Sequence, residues 1–235
     1  VPWADALLFT PALGTLAIQN LGGMANVTVL GGDEILAFDT GPGMALIDAA
    51  AARATRGELP FDLDGKLAAA GTVDEALVEG ILEHPFFKQA PPRSTGREVF
   101  GEAFVENLVT GGGPMGPEDW PDLVATLPEL TARSIAQAYR DWVLPTIPSL
   151  DRVLVMGGGA RNPTLVSRIA EALAPIPVEV PDADVLGVDP DFREALCFAA
   201  LGWAFLQGVP GNVPSVTGAA GPRFLGTFTP GREES

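Results

Sequence analysis

Two glycine turns set close together constrain this chain more than anything else in it. Leu16-Ala-Ile-Gln-Asn-Leu-Gly-Gly-Met-Ala-Asn26 is followed within a few residues by Ala37-Phe-Asp-Thr-Gly-Pro-Gly43. Each is an apolar, strand-like run that ends in a glycine turn with a polar side chain beside it. Gly22 and Gly23 separate Leu16-Ala-Ile18 from Asn26-Val-Thr-Val-Leu30, and Gly31-Gly32 lead into Ile35-Leu-Ala-Phe38. Short β-rich runs punctuated by glycine predict a three-stranded antiparallel meander. Asn20 and Asn26 flank the first turn, where backbone N–H groups and side-chain amides suit an anion. Asp39 is expected at the end of the third strand, with Gly41, Pro42 and Gly43 turning the chain into a helix near Ala45. The start of that helix is expected to favour phosphate or carboxylate ligands. Taken singly, each motif is also ordinary turn chemistry.

The 235 residues are 47% hydrophobic and 19% charged, enough for a packed core in one large domain or two small ones. Thirty Asp and Glu against 14 Lys and Arg give a net charge of −16. That balance, with no basic stripe, argues against a nucleic-acid partner. The one cysteine, Cys197, rules out an internal disulfide framework and a cysteine zinc site; within Ala195-Leu-Cys-Phe-Ala-Ala-Leu201 it reads as a buried small hydrophobe. The one histidine, His84, stands before Pro85-Phe-Phe87 and reads as a loop or helix-end residue. The apolar run Ala195 to Leu206 is too short to span a bilayer, so no membrane partner is expected and a cytoplasmic location is. A chain that opens on Val1-Pro-Trp-Ala is read as truncated or processed.

Past the meander, Ala45 to Arg53 is an alanine-rich helix. Residues 59–148 show helical patterns (Val73 to Leu82, Glu102 to Leu108, Leu130 to Trp142) among Pro/Gly loops such as Gly111-Gly-Gly-Pro-Met-Gly-Pro117, with no strand signal. This section reads as a helical insertion. Arg152-Val-Leu-Val-Met156 is a buried strand, Gly157-Gly-Gly159 a turn, and Asn162-Pro163 the start of a helix running to about Leu173. Val178-Glu-Val180 is a short strand, and Asp191 to Leu206 a last helix. The order βββα…βαβα predicts an α/β chain: a ribonuclease-H-like (actin-like ATPase) lobe, its mixed β-sheet flanked by helices, with the helical insertion.

Five blocks in order make the resemblance specific. They are Asn20-Leu-Gly-Gly-Met-Ala-Asn26, Phe38-Asp-Thr-Gly-Pro-Gly43, Ala90-Pro-Pro-Arg-Ser-Thr-Gly-Arg-Glu98, Met156-Gly-Gly-Gly-Ala-Arg-Asn-Pro163 and Gly208-Val-Pro-Gly-Asn-Val-Pro-Ser-Val-Thr-Gly218. Spanning nearly the whole chain, they resemble the C-terminal lobe of the anhydro-N-acetylmuramic acid kinases. The resemblance implies ATP in a cleft between two such lobes, with Asn20, Gly22, Gly23 and Asn26 at the phosphates. Gly157, Gly158, Gly159 and Asn162 would lie on the adenosine side. It implies Asp39 as general base, Glu194 as a second acid on the sugar side, and a substrate loop of Ser94, Thr95 and Arg97. Thr40, Gly41 and Gly43 join the substrate-binding set. Arg93 and Arg97 also read as plain surface charges, and Glu194 as an ordinary helix-start acid. Asn212 and Thr217 are expected to order the C-terminal loop.

The implied activity is ATP- and Mg²⁺-dependent opening and O6 phosphorylation of 1,6-anhydro-N-acetylmuramic acid in peptidoglycan recycling, with a homodimer or a missing N-terminal lobe as the expected partner; the metal ligands are not legible. Met44 stands where the family carries asparagine. No counterpart of the family's N-terminal lobe is found in the sequence. The alternative is therefore an isolated or degenerate lobe that acts as a binding or oligomerisation module without catalysis. Another actin-like sugar or acetate kinase is disfavoured by the Ser94-Thr-Gly-Arg97 and Val213 to Gly218 blocks.

Overall fold

The computed structural model describes residues 1–9, 14–32, 34–110, 120–147, 149–187 and 189–231. Five strands form one mixed sheet: β1 (Leu16–Leu21), β2 (Met24–Leu30), β3 (Leu36–Pro42), β4 (Arg152–Met156) and β5 (Val178–Glu179). Their order across the sheet is β3-β2-β1-β4-β5. The β1–β2 and β2–β3 pairs are antiparallel, and the β1–β4 and β4–β5 pairs are parallel. β1 is central and covered on both faces, so five of its six residues are buried, Gln19 among them. The expected meander and the expected mixed sheet are both present.

One face of the sheet carries five of the helices. Ala17, Leu21, Val27, Val29, Phe38, Val153 and Val155 point into a large core. Against them pack α2 (Ala45–Ala54), α3 (Glu75–Leu82), α4 (Glu102–Thr110), α5 (Trp120–Ala138) and α6 (Pro163–Leu173). None of the described residues between 59 and 147 forms a strand, as the helical patterns predict. The Gly111 to Pro117 loop lies outside the described residues. α6 starts as its sequence indicates: the Asn162 side chain accepts the Leu165 N–H at 3.1 Å, and Pro163 takes the first helical position. α5 departs from expectation, beginning ten residues before Leu130 and running through Pro128. Proline removes one intrahelical hydrogen bond, yet Leu123, Val124, Leu127 and Leu130 are all fully buried on either side of it. Tertiary burial outweighs the breaker.

The opposite face is thinly covered. Phe9 of α1 (Pro2–Phe9) packs on Leu16, Ile18, Leu30, Leu154 and Met156. Beyond β5 come the short helix α7 (Ala183–Leu186) and then α8 (Arg193–Leu206). α8 is tied to α1 by a buried ion pair, Arg193 Nη2 lying 2.6 Å from both carboxylate oxygens of Asp5. The chain then turns through α9 (Pro214–Thr217). Asn212 does order this end, accepting the Arg223 N–H at 2.6 Å and donating to Gly221 O at 3.3 Å.

Candidate active site

The site grows from strand register. Asn20 of β1 stands opposite Asn26 of β2 and beside Met156 of β4, and Asn26 stands opposite Asp39 of β3. Directly opposed residues project from the same face, with about 5 Å between neighbouring Cβ atoms. Asn20, Asn26 and Asp39 therefore form a polar row roughly 10 Å long at the open end of the thin face. Asp39 lies within β3, not at its end, because the pairing continues past it through a bulge to Ala25↔Gly41 and Met24↔Pro42.

A cavity of about 730 Å³ opens at this end, lined by Asn20, Gly22, Asn26, Gly157, Gly158 and Glu194 among others. A second cavity, about 530 Å³, adjoins it and is lined by Gly22, Gly23, Met44, Asp48, Phe61, Gly158 and Asn162 among others. Gly22, Gly158 and Arg161 belong to both walls. Gly22 and Gly158 differ from the neighbouring glycines in a telling way. A Cβ at Gly158 would meet nothing within 4 Å, and one at Gly22 would make only ordinary contacts of 3.6–3.7 Å. By contrast, a Cβ on Gly159 would come 2.7 Å from the Leu21 Cβ, and one on Gly157, at φ +86°, 2.8 Å from Leu21 O. Packing explains Gly157 and Gly159; open space over Gly22 and Gly158 is what backbone approach by a ligand needs.

Asp39 is half-buried and held by a segment distant in sequence. Its Oδ2 accepts the Thr95 N–H at 2.8 Å, while its own N–H donates to Arg93 O at 3.2 Å. Burial raises the Asp39 pKa above the ordinary carboxylate value, against the Thr95 hydrogen bond and the nearby Arg93 charge. A carboxylate so placed is a stronger proton acceptor than a free one. Arg93 is neither a ligand contact nor a surface charge. It is 8% exposed, donates to the carbonyls of Asp39 (2.9 Å), Phe87 (3.2 Å) and Gln89 (2.8 Å), and lies over the Phe38 and Phe86 rings. It clamps the Ser94-Thr95 segment to β3.

The remaining predicted residues divide. Glu194 is exposed in the first turn of α8 and lines the larger cavity. Ser94 is exposed, and the Arg97 guanidinium stands over Gly23, 3.4 Å from where a Cβ would be. Thr40, Gly41 and Gly43 are buried behind the site. The Thr40 hydroxyl accepts from Gln19 Nε2 at 3.2 Å, and a Cβ at Gly41 would press on Phe87 and Ser134 at 2.9 Å. The expectation that the start of α2 offers an open anion site is corrected. The N–H groups of Gly43, Met44 and Ala45 donate at 2.8–3.0 Å to the carbonyls of Gly22 and Gly23, so the turn and the helix end satisfy one another.

The smaller cavity holds one residue that the motifs did not signal, Asp48, and one that they did, Asn162. Asp48, one turn into α2, has a buried Oδ1 with no hydrogen-bond partner, and burial lifts its pKa to about 6 despite the opposing pull of Arg97. Asn162 is 4% exposed, and its Nδ2 is also without a partner. Met44 packs toward the Gly159 position and gives this cavity an apolar wall beside Phe61 and Leu63. His84 serves as a helix-end residue, its Nδ1 accepting from Phe86 N at 3.2 Å, and Cys197 is buried.

A mixed sheet in the order β3-β2-β1-β4-β5, with glycine turns opening on paired cavities at one end, is a ribonuclease-H-like lobe of the actin-like ATPase and sugar kinase class. The family profile described as Anhydro-N-acetylmuramic acid kinase matches residues 1–231, and the chain belongs to that family. The Gloeobacter violaceus anhydro-N-acetylmuramic acid kinase is 47% identical over 234 residues, covering 98% of this chain and 59% of that protein. The Streptomyces coelicolor protein of the same name is 43% identical over 234 residues, covering 99% and 57%. The chain thus spans 57–59% of the length of these relatives. Among solved structures, component A of the Acidaminococcus fermentans (R)-2-hydroxyglutaryl-CoA dehydratase aligns with 83% of this chain and 66% of that one, at 17% identity and TM-score 0.43.

Proposed function

We propose that this chain is the C-terminal lobe of an ATP-dependent kinase that opens 1,6-anhydro-N-acetylmuramic acid with water and phosphorylates it at O6, in cytoplasmic recycling of cell-wall sugar. The polar row Asn20, Asn26 and Asp39, leading from the larger cavity to a half-buried carboxylate, is the observation that carries this reading. In the proposed step the water oxygen bonds to the anomeric carbon and its proton passes to Asp39. The bond from that carbon to O6 breaks, O6 takes the γ-phosphoryl group, and ADP leaves. Glu194 and the Ser94, Thr95 and Arg97 segment would hold the sugar, with Arg97 suited to its carboxylate.

The nucleoside fits the smaller cavity, where Phe61, Leu63 and Met44 offer an apolar wall and Asn162 Nδ2 an unused donor. Its phosphates would cross the Gly22 and Gly158 backbone into the larger one. Among the described residues no group of three or more His, Cys, Asp or Glu is arranged to hold a metal ion. Mg²⁺ bound to the phosphate oxygens of ATP would neutralise charge on the transferring group. The length that the relatives carry beyond this chain would supply the facing half of the cleft, and a homodimer is part of the proposal.

The test is Asp39→Asn in the chain supplied with that remaining length, following the 6-phosphate sugar by mass spectrometry. Loss of a general base predicts turnover lower by about 10²–10⁴-fold. An Asn variant as fast as the parent would remove Asp39 from the mechanism.

A further inference from the structure

Both cavities are acidic, yet the proposed ligand is a polyanion. Asp189, Asp191 and Glu194 line the larger cavity, and Asp48, Asp62 and Asp64 the smaller. Among the described residues, the cationic side chains on these walls are Arg161 and Arg193. Arg193 is committed elsewhere, its guanidinium buried and bidentate on Asp5. Arg161 remains, and it alone of the two lines both cavities, beside Gly22 and Gly158.

Arg161 is also paired, but in a manner that is easily undone. Its Nη2 lies 2.8 and 2.6 Å from the two carboxylate oxygens of Asp191, across the mouth of the larger cavity. The side chains are 73% and 66% exposed, and an exposed pair of this kind contributes little to stability. Asp191 sits in a single short turn, Pro190–Phe192, fixed locally by Asp189 accepting its N–H at 3.0 Å. Arg161 sits at the end of the Gly158–Arg161 turn. Neither side chain is locked by packing, and a phosphate, like a carboxylate, can present two oxygens at once to a guanidinium.

We infer that Arg161 is a phosphate-binding residue parked on Asp191, and that nucleotide phosphates take it from Asp191 when they cross the Gly22 and Gly158 backbone. Asp191 is then a competitor for the arginine. Without a ligand it shields the positive charge; with one it is released to solvent. The inference rests on reading the paired cavities as a nucleotide site.

A competitor and a structural partner respond to mutation with opposite signs. The test is isothermal titration of ATP and of adenosine into the parent protein, Arg161→Gln and Asp191→Asn, each carrying the family's remaining length. Arg161→Gln is expected to weaken ATP by about tenfold, the worth of a charge-assisted contact, and to leave adenosine unchanged. Asp191→Asn is expected to tighten ATP several-fold, again without effect on adenosine. ATP affinity unchanged in Arg161→Gln, or lowered in Asp191→Asn as in Arg161→Gln, overturns the inference while leaving the nucleotide site in place. A parent that binds neither ATP nor adenosine overturns the nucleotide reading and this inference with it.

Discussion

The two faces of the sheet are built for different work. On one, five helices close over Ala17, Leu21, Val27, Val29 and Phe38, and the large buried residues of α5 sit at 0% exposure. On the other, Phe9 of one short helix covers five buried residues, and past Met156 the surface gives way to Asn20, Asn26 and Asp39. The same strands, alternating side chain by side chain, feed both. Stability is concentrated on the thick face, which frees the end of the thin face to carry polar groups and open space that a core does not tolerate.

The largest effect that tests this division is expected at Leu127, on the thick face. Leu127→Ala should cost about 3 kcal/mol in urea unfolding, from lost transfer energy and the cavity left behind. It should leave ligand affinity in the surviving folded fraction unchanged.

A smaller effect of opposite sign is expected at Asp48, where a carboxylate intrudes on the border between the two regions. Its folded pKa of about 6 lies above the ordinary value of 3.8, so between these values the folded state binds the extra proton. Stability should therefore rise as pH falls from 7.5 towards 5 and level off near the unfolded pKa. Asp48→Asn should remove that slope and gain about 1 kcal/mol at pH 7.5, after allowance for the water that reaches the group. Parallel denaturation curves at the two pH values would check both.

The smallest change in stability is expected at Gly158, where a methyl group meets nothing. Gly158→Ala should unfold within about 0.5 kcal/mol of the parent yet weaken ATP measurably in titration. If stability fell and ATP binding held, the glycine would belong to the scaffold and the boundary drawn here would move.

What could be read in advance was local. The meander, the strand Arg152–Met156, and the Asn162-Pro163 helix start all follow from alternation, glycine turns and capping within a few residues. The site's outline was legible for the same reason, since Gly22, Asn26, Gly158 and Glu194 sit in or beside such turns and meet on one cavity. What escaped depends on distance along the chain. Arg93 is held partly by near carbonyls, but its tie to the site is the carbonyl of Asp39, 54 positions away, and the Phe38 ring that it covers. Pro128 is tolerated only because α5 is buried. Thr40, Gly41 and Gly43 share a motif with Asp39, but strand alternation and close packing send them behind it.

The Arg93 clamp has a consequence for solubility. β3 is an outer strand, and an unpaired strand border invites another chain to add to it. Here the extended run ending at Thr95 lies along that border, taking up the Asp39 N–H and carboxylate. The opposite border, β5, is two residues long and offers almost nothing to copy. The contact that orients the proposed base thus also occupies part of the sheet's border. Releasing Arg93 would unseat the proposed base and bare the strand border in the same event.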